Sequence, residues 1–224
     1  MSGELKGWKQ RAPANHGFGV ALLHKSPTTS ASSSNARVRI SGDGGVELFI
    51  GATDVGGGTG TSLAQVAAEE LGIPLSTIKV VIADTELTPF DHGTYSSRVT
   101  SYVGAAVKLA AADARRQMLE MAARLWNRPG EDIRLANGKV IVKGQRSLTL
   151  AELLAQSGAA EIIGVGTSQS KGLWAGDPSK QEKDSSAPGW PFGAQAVEVA
   201  ADRETGVIKL IRVASAHDLS LIHI

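Results

Sequence analysis

No cysteine occurs among the 224 residues. Disulfides, thiol nucleophiles and thiolate-held iron–sulfur clusters are therefore excluded from this chain. Aromatic residues are scarce, at 4%, and the formal net charge is only +1. So nearly neutral a chain has no field with which to gather a polyanion. Residues 1–39 carry six Lys/Arg against one acid, Glu4, which reads as a solvated surface rather than a nucleic-acid site. No run of about 18 apolar residues and no signal-peptide core is present. Neither a nucleic-acid partner nor a membrane span is expected, and the composition suits a cytoplasmic enzyme. The length is enough to bury a core as one or two domains.

The glycines are concentrated. Gly56-Gly57-Gly58-Thr59-Gly60-Thr61 follows the strand-like Val46-Glu47-Leu48-Phe49-Ile50 and opens a helical run from Leu63 to Leu71. A glycine-rich turn ahead of a helix lets backbone N–H groups face an anion, and the helix dipole adds favourable potential. The same sequence also serves as a plain tight turn. Two familiar phosphate motifs do not fit. Gly60 is followed by Thr61-Ser62 where a P-loop needs Gly-Lys-Ser/Thr, and Thr61 stands where a dinucleotide fingerprint needs its third glycine.

A second element is rich in hydroxyls. Gly93-Thr94-Tyr95-Ser96-Ser97-Arg98-Val99-Thr100-Ser101 precedes the longest helical pattern, in which Val103, Val107, Ala110, Ala114, Met118, Met121 and Leu125 share one face. One Ser or Thr suffices to cap a helix. Thr94, Ser96, Ser97, Thr100 and Ser101 together suit a ligand with several polar acceptors. The β-branched run Ile78-Lys79-Val80-Val81-Ile82-Ala83 reads as a strand between the two elements.

Residues 50–107 resemble the molybdenum-cofactor-binding large subunit of the xanthine dehydrogenase/aldehyde oxidase family. The resemblance is carried by Gly51 to Thr61, Leu63 to Pro74, Asp84-Thr85, Gly93-Thr94, Ser97-Arg98 and Gly104 to Val107. Pro191 to Val199, Asp202 to Gly206 and His217-Asp218 extend it, so that it covers most of residues 15–218. The resemblance implies an oxidoreductase, a molybdenum hydroxylase that oxidises an aldehyde, an N-heteroaromatic or a similar small carbon centre with oxygen from water. It implies a molybdopterin cofactor, in bacteria usually the cytosine dinucleotide form, whose dithiolene holds the metal without protein ligands. Gly56, Gly57, Gly58, Thr59, Gly60 and Thr61 would lie against that cofactor, and Thr94, Ser96 and Ser97 would bond its phosphates or pterin. The partners implied are a small-molecule substrate, an iron–sulfur small subunit carrying [2Fe-2S] and a medium subunit carrying FAD. The family often has Gln where this chain has Gly57, which removes a side-chain contact to the metal centre. The alternative is a free-standing, non-catalytic module that binds a phosphate compound or nucleotide.

The resemblance further implies that Met1 is an internal methionine, which leaves export open. The family's general-base glutamate would lie beyond the C-terminus, so no catalytic residue is assigned and the fragment alone is expected not to turn over. Leu219 to Ile224 break the pattern after Asp218. They match what an in-frame translation of a sequencing adapter would give and read as an artefact of that kind, the alternative being a real apolar C-terminal strand.

The expected fold class is α+β, with mixed sheets and two substantial helices, forming part of a cofactor-binding domain over 1–218. Within it, 1–126 is the first cofactor-contacting half, and 127–163 a hairpin and short helix. A long loop over 164–190 and a late hairpin over 191–218 follow. Val20 to Leu23, a polar loop over 26–35, Val38 to Ile40 and the turn Asp43-Gly44-Gly45 suggest a meander. Asn137-Gly138 between Ile133 to Leu135 and Val140 to Val142 is a hairpin signal, and Thr149-Leu150-Ala151-Glu152 has capping-box spacing. Asp91-His92 reads as a polar turn pair or as facing substrate, and Asp84 as a turn cap. Glu69 and Glu70 point roughly 100° apart on a helix and form no acid/base couple. Trp174 and Trp190 either anchor the long loop or line a channel.

Overall fold

The computed structural model describes residues 13–24, 32–142, 146–170 and 192–218. The chain divides into two compact units, residues 1–26 with 189–224, and residues 27–188. In chain order the described strands and helices are β1 (His16–His24), β2 (Ser32–Ser41), β3 (Val46–Ile50), α1 (Thr59–Leu71), β4 (Ile78–Ile82) and α2 (Gly104–Trp126). They continue with β5 (Ile133–Ala136), β6 (Lys139–Val142), β7 (Arg146–Thr149), α3 (Leu150–Ser157), β8 (Glu161–Ser170), β9 (Phe192–Ala201) and β10 (Ile208–His217). The class is α+β, as the sequence pattern led us to expect.

In the larger unit, alternating residues of β2 are buried from Ser34 to Ile40, the period of a strand with one face on a core. Its hairpin partner β3 pairs Ala36 with Ile50 and Ile40 with Val46. The turn between them is closed by Asp43 Oδ1, which accepts the Gly45 N–H at 2.9 Å. β3 then crosses through α1 to β4, which lies parallel to it from Val46↔Ile78 to Ile50↔Ile82. The sheet order is β4-β3-β2-β8. Val38, Ile40, Leu48 and Ile50 meet Leu63, Ala67 and Leu71 of α1 and Val107, Ala110 and Ala114 of α2 in one apolar core. On the other side, the Arg37 guanidinium covers the Phe49 ring at 4.5 Å, a cation–π contact.

β8 corrects the expectation of a loop beginning at Gly164. The strand runs to Ser170 and pairs antiparallel with all of β2, from Ser41↔Glu161 to Ser32↔Ser170. Its glycines look like loop residues but answer to packing. A Cβ on Gly164 would sit 2.2 Å from Ala110 O, and one on Gly166 2.1 Å from Ala106 O. Only glycine lets the α2 backbone approach so closely. The helix also bonds the strand, because Asp113 Oδ2 accepts the Val165 N–H at 3.1 Å and Gln117 Nε2 donates to Ile163 O at 2.8 Å. The rest of the expected loop, with Trp174 and Trp190, lies outside the described residues, as do residues 219–224.

The polar stretch 26–35 is likewise shorter as a loop than its composition suggests. Ser32 to Asn35 belong to β2, and Ser34 is fully buried. On α2 the buried stripe passes through Met118 to Ala122, with Met121 and Leu125 only partly covered. The helix is preceded by a π-helical turn, Val99–Val103.

Asn137 and Gly138 take φ of 52° and 70°, the left-handed pair that a two-residue hairpin turn requires. β7 adds a third strand to that hairpin. Thr149 and Glu152 form the capping box of α3.

The smaller unit corrects the meander. β1 pairs with β9, from His16↔Ala200 to His24↔Phe192, and not with β2. β9 turns into β10 around Asp202, whose Oδ1 accepts the N–H groups of Glu204 and Thr205 at 2.9 Å each. Ile211 is the extra residue of a bulge between Leu210 and Arg212. His16 Nδ1 meets Glu198 Oε1 across the β1–β9 pair at 2.8 Å.

Candidate functional site

The parallel β3-α1-β4 crossover puts residues 51–58 at the carboxyl end of β3, where sheets of this kind leave room for ligands. Gly56 and Gly58 adopt φ of 103° and 71°, conformations costly for other residues. A Cβ on Gly56, Gly57 or Gly58 would find no atom within 4 Å, so the loop faces open space. Asp54 Oδ1 accepts the N–H groups of Gly56 at 2.9 Å and Gly58 at 3.2 Å. Two donors of the loop are thus occupied by a carboxylate. The helical ladder begins with Ser62 N–H to Gly58 O at 3.0 Å, which leaves the first-turn N–H groups of Thr59, Gly60 and Thr61 ahead of it.

The hydroxyl-rich segment lies against this loop. Thr94 Oγ1 donates to Thr53 O at 2.6 Å, tying the two loops together. A cleft of about 370 Å³ opens between them, lined by Val55, Gly57, Thr59 and Ser62 on one side and residues 94–100 on the other. Among the residues the sequence singled out, Gly57, Thr59, Thr94, Ser96 and Ser97 reach its wall. Gly56, Gly58, Gly60 and Thr61 are not among its lining residues, and Gly60 has a packing reason, since its Cβ would come within 2.9 Å of Ile82 Cδ1.

Ser96 and Ser97 both hold left-handed backbone, with φ of 49° and 56°. Such conformations are rare for residues with a side chain and persist only where their surroundings enforce them. Arg98 is the next residue. Its side chain is wholly buried. Nη1 donates to Asp91 Oδ1 at 2.6 Å and Gly93 O at 2.9 Å, and Nη2 to Ser34 Oγ at 2.6 Å and Ser33 O at 3.2 Å. Asp91 Oδ1 also accepts the Gly93 N–H at 2.8 Å. The turn reading of Asp91 holds in the Gly93 N–H bond, and the side chain is in addition buried in an ion pair that the sequence did not suggest. His92, exposed, lies edge-on to Phe90, while Asp84 caps a turn as expected, accepting the Glu86 and Leu87 N–H groups. Arg98 entered the sequence reading in the Ser97-Arg98 match but without a role. The signal for its ion pair was an Asp seven residues before it in a polar segment, which many surface pairs share.

The donor set fits a phosphate- or pterin-bearing organic group better than a bare metal. Backbone N–H groups, hydroxyls and an open glycine wall are present. Among the described residues no group of three His, Cys, Asp or Glu could hold a metal ion. A metal at this cleft would have to arrive already held by its own ligand.

Residues 3–222 match the sequence model of the molybdopterin cofactor-binding domain. The probable hypoxanthine oxidase of Escherichia coli (strain K12) is 30% identical over 212 residues, 92% of this chain and 21% of that protein. The nicotine 6-hydroxylase large subunit of Paenarthrobacter nicotinovorans is 28% identical over 208 residues, 92% of this chain and 25% of that one. The crystal structure of the Cu,Mo-CO dehydrogenase in its carbon monoxide reduced state superposes with a TM-score of 0.64 at 25% identity, covering 90% of this chain and 26% of that one. The chain thus spans about a quarter or less of the length of these relatives. With the family model matching nearly the whole sequence, and the same fold in a molybdenum enzyme, the chain belongs to the molybdopterin cofactor-binding domain family of the molybdenum hydroxylases.

Proposed function

We propose that this chain forms part of a molybdenum hydroxylase large subunit and holds the molybdopterin cofactor in the cleft between residues 54–62 and 94–100. The observation that carries the reading is the convergence of the two loops, fixed by the 2.6 Å bond from Thr94 to Thr53 O, on one open, donor-lined cleft. The N–H groups of Thr59 to Thr61 and the hydroxyls of Thr94, Ser96 and Ser97 bind phosphate or pterin oxygens. The glycine wall lets the group approach the backbone. When bound, the cofactor supplies the two-electron oxidation chemistry. This chain's residues bind and orient it. Gly57, without a side chain, bonds no ligand of the metal.

In the whole enzyme the substrate is an aldehyde, an N-heteroaromatic or a similar small carbon centre, hydroxylated with oxygen from water. The electrons leave through a [2Fe-2S] small subunit and an FAD-binding medium subunit. The cofactor is the cytosine dinucleotide form. The molybdopterin family match supports this reading and lends nothing to a free-standing nucleotide-binding module. No helix among the described residues is long and apolar enough to cross a membrane.

The test is to express the full-length gene and analyse the purified subunit for molybdenum, for oxidised pterin and for cytidine monophosphate released by acid hydrolysis. Molybdenum and pterin are expected in equal amount, with cytidine monophosphate matching them. Folded protein with neither refutes the cofactor reading. Pterin without cytidine monophosphate refutes only the dinucleotide form.

A further inference from the structure

We infer that Asp91 and Arg98 are the positioning residues of the cofactor cleft, acting through the backbone of Ser96 and Ser97 rather than by touching the cofactor. The inference rests on the cofactor reading of the cleft but concerns how the chain builds it. Ser96 and Ser97 form part of the cleft wall in two consecutive left-handed conformations. Nothing local favours such a pair, since neither is glycine. The next residue supplies the constraint. Four hydrogen bonds from two Arg98 nitrogens join the start of β2, through Ser33 O and Ser34 Oγ, to Asp91 and Gly93 ahead of the two serines.

The geometry closes on itself. Asp91 stands before the loop and is paired in an isolated bridge with Ser34 of β2. Arg98 stands directly after it, at the cap of the π-helical turn that leads into α2. The Tyr95 ring lies 5.6 Å from the Arg98 guanidinium carbon. Residues 92–97 are thereby pinned at both ends by one buried ion pair. Asp91 Oδ2 and Arg98 Nε are left without partners. A pair kept only for stability would waste these buried donors and acceptors less, whereas a pair that must reach several backbone groups at fixed angles has few alternatives. The planar five-donor fork of Arg makes such multiple contacts, and Lys cannot.

The experiment uses the full-length subunit as wild type, Arg98→Lys, Ser96→Gly and the double variant. Arg98→Lys keeps a positive charge opposite Asp91, so it leaves the core folded. Arg98→Met serves as a second probe of the lost fork. Two readouts are taken on protein whose circular dichroism and elution volume match wild type. They are molybdenum per polypeptide and amide hydrogen exchange over residues 91–101.

Arg98→Lys is expected to exchange the amides of 93–98 at least tenfold faster and to lose most of its molybdenum. Ser96→Gly alone is expected to keep wild-type exchange and to lose only the part of its molybdenum that the Ser96 hydroxyl holds. The double variant is expected to hold as much molybdenum as Ser96→Gly, well above Arg98→Lys, because glycine adopts the left-handed backbone without the pin. Rescue by Ser96→Gly is an outcome that a merely structural role of Arg98 would not produce. Unchanged exchange in both Arg98 variants overturns the inference. So does a double variant with no more molybdenum than Arg98→Lys. Wild type without molybdenum would refute the cofactor reading, while the exchange data would still decide whether Arg98 positions the loop.

Discussion

Arg98 donates to Asp91 across 2.6 Å with both side chains wholly buried. Few surroundings could replace either partner. Removing one leaves the other as a buried, uncompensated charge, which costs about 3–5 kcal/mol. Asp91→Ala is therefore expected to lower the unfolding free energy of the subunit by about that amount. Urea denaturation followed by circular dichroism measures it, and a loss of under about 1 kcal/mol would show the pair to be dispensable.

Gly166 has a different kind of necessity. A methyl group there would fall 2.1 Å from Ala106 O and 2.4 Å from Ala110 N, both backbone atoms that cannot rotate away. Gly166→Ala is expected to destabilise by about 3 kcal/mol or more, beyond ordinary overpacking. Gly19→Ala, where nothing lies within 4 Å, is the control, with an expected effect of about 0.5 kcal/mol or less. Equal melting temperatures for the two variants would mean that α2 does not seat on β8 as described.

Gly57 has neither a positive φ nor a neighbour for a Cβ. Gly57→Gln is expected to fold with unchanged or slightly raised stability, by up to about 1 kcal/mol. Thermal unfolding checks this. A clear drop would mean that residue 57 is confined in a way the open loop does not explain.

Asp113 ties α2 to the β8 strand edge and to Arg116. The hydrogen bond from Arg116 chiefly, with the Val165 N–H and Gln117 helping against burial, holds its carboxyl below the ordinary value of 3.8. A depressed folded value means stability that is present above pH 3.8 and lost as pH falls through the lower folded value. Asp113→Asn is expected to remove that part of the acid sensitivity, so that the melting temperatures of wild type and variant converge as pH falls from 6 toward roughly 3. Parallel curves across that range would contradict the assignment.

Local chemistry was legible in the sequence wherever one or two neighbouring residues decide the geometry. Asn137-Gly138 forces its turn, Thr149 and Glu152 close their box, and the glycines after Ile50 precede a helix. What the sequence hid depends on distant partners. Gly164 and Gly166 read as loop residues because their reason is the α2 backbone, more than 50 positions earlier. Ser33 and Ser34 read as loop for the same cause, since pairing with β8 and the Arg98 guanidinium put them into a strand. Strand order was also hidden, because β1 finds its partner in β9 across nearly the whole chain. At the cleft the glycine and hydroxyl elements were visible separately. The bond between Thr94 and Thr53 O that brings them together, and the Arg98 pin behind them, were not.

The claim that this cleft holds molybdopterin is tested most directly by the molybdenum content of the purified full-length subunit beside its Gly58→Val variant. Valine opposes the φ of 71° at residue 58 and puts branched carbon atoms into the open space that the loop faces. The account predicts about one molybdenum per wild-type polypeptide and at least a tenfold loss in a variant that remains folded. Equal molybdenum in both proteins, or none in folded wild type, would contradict it.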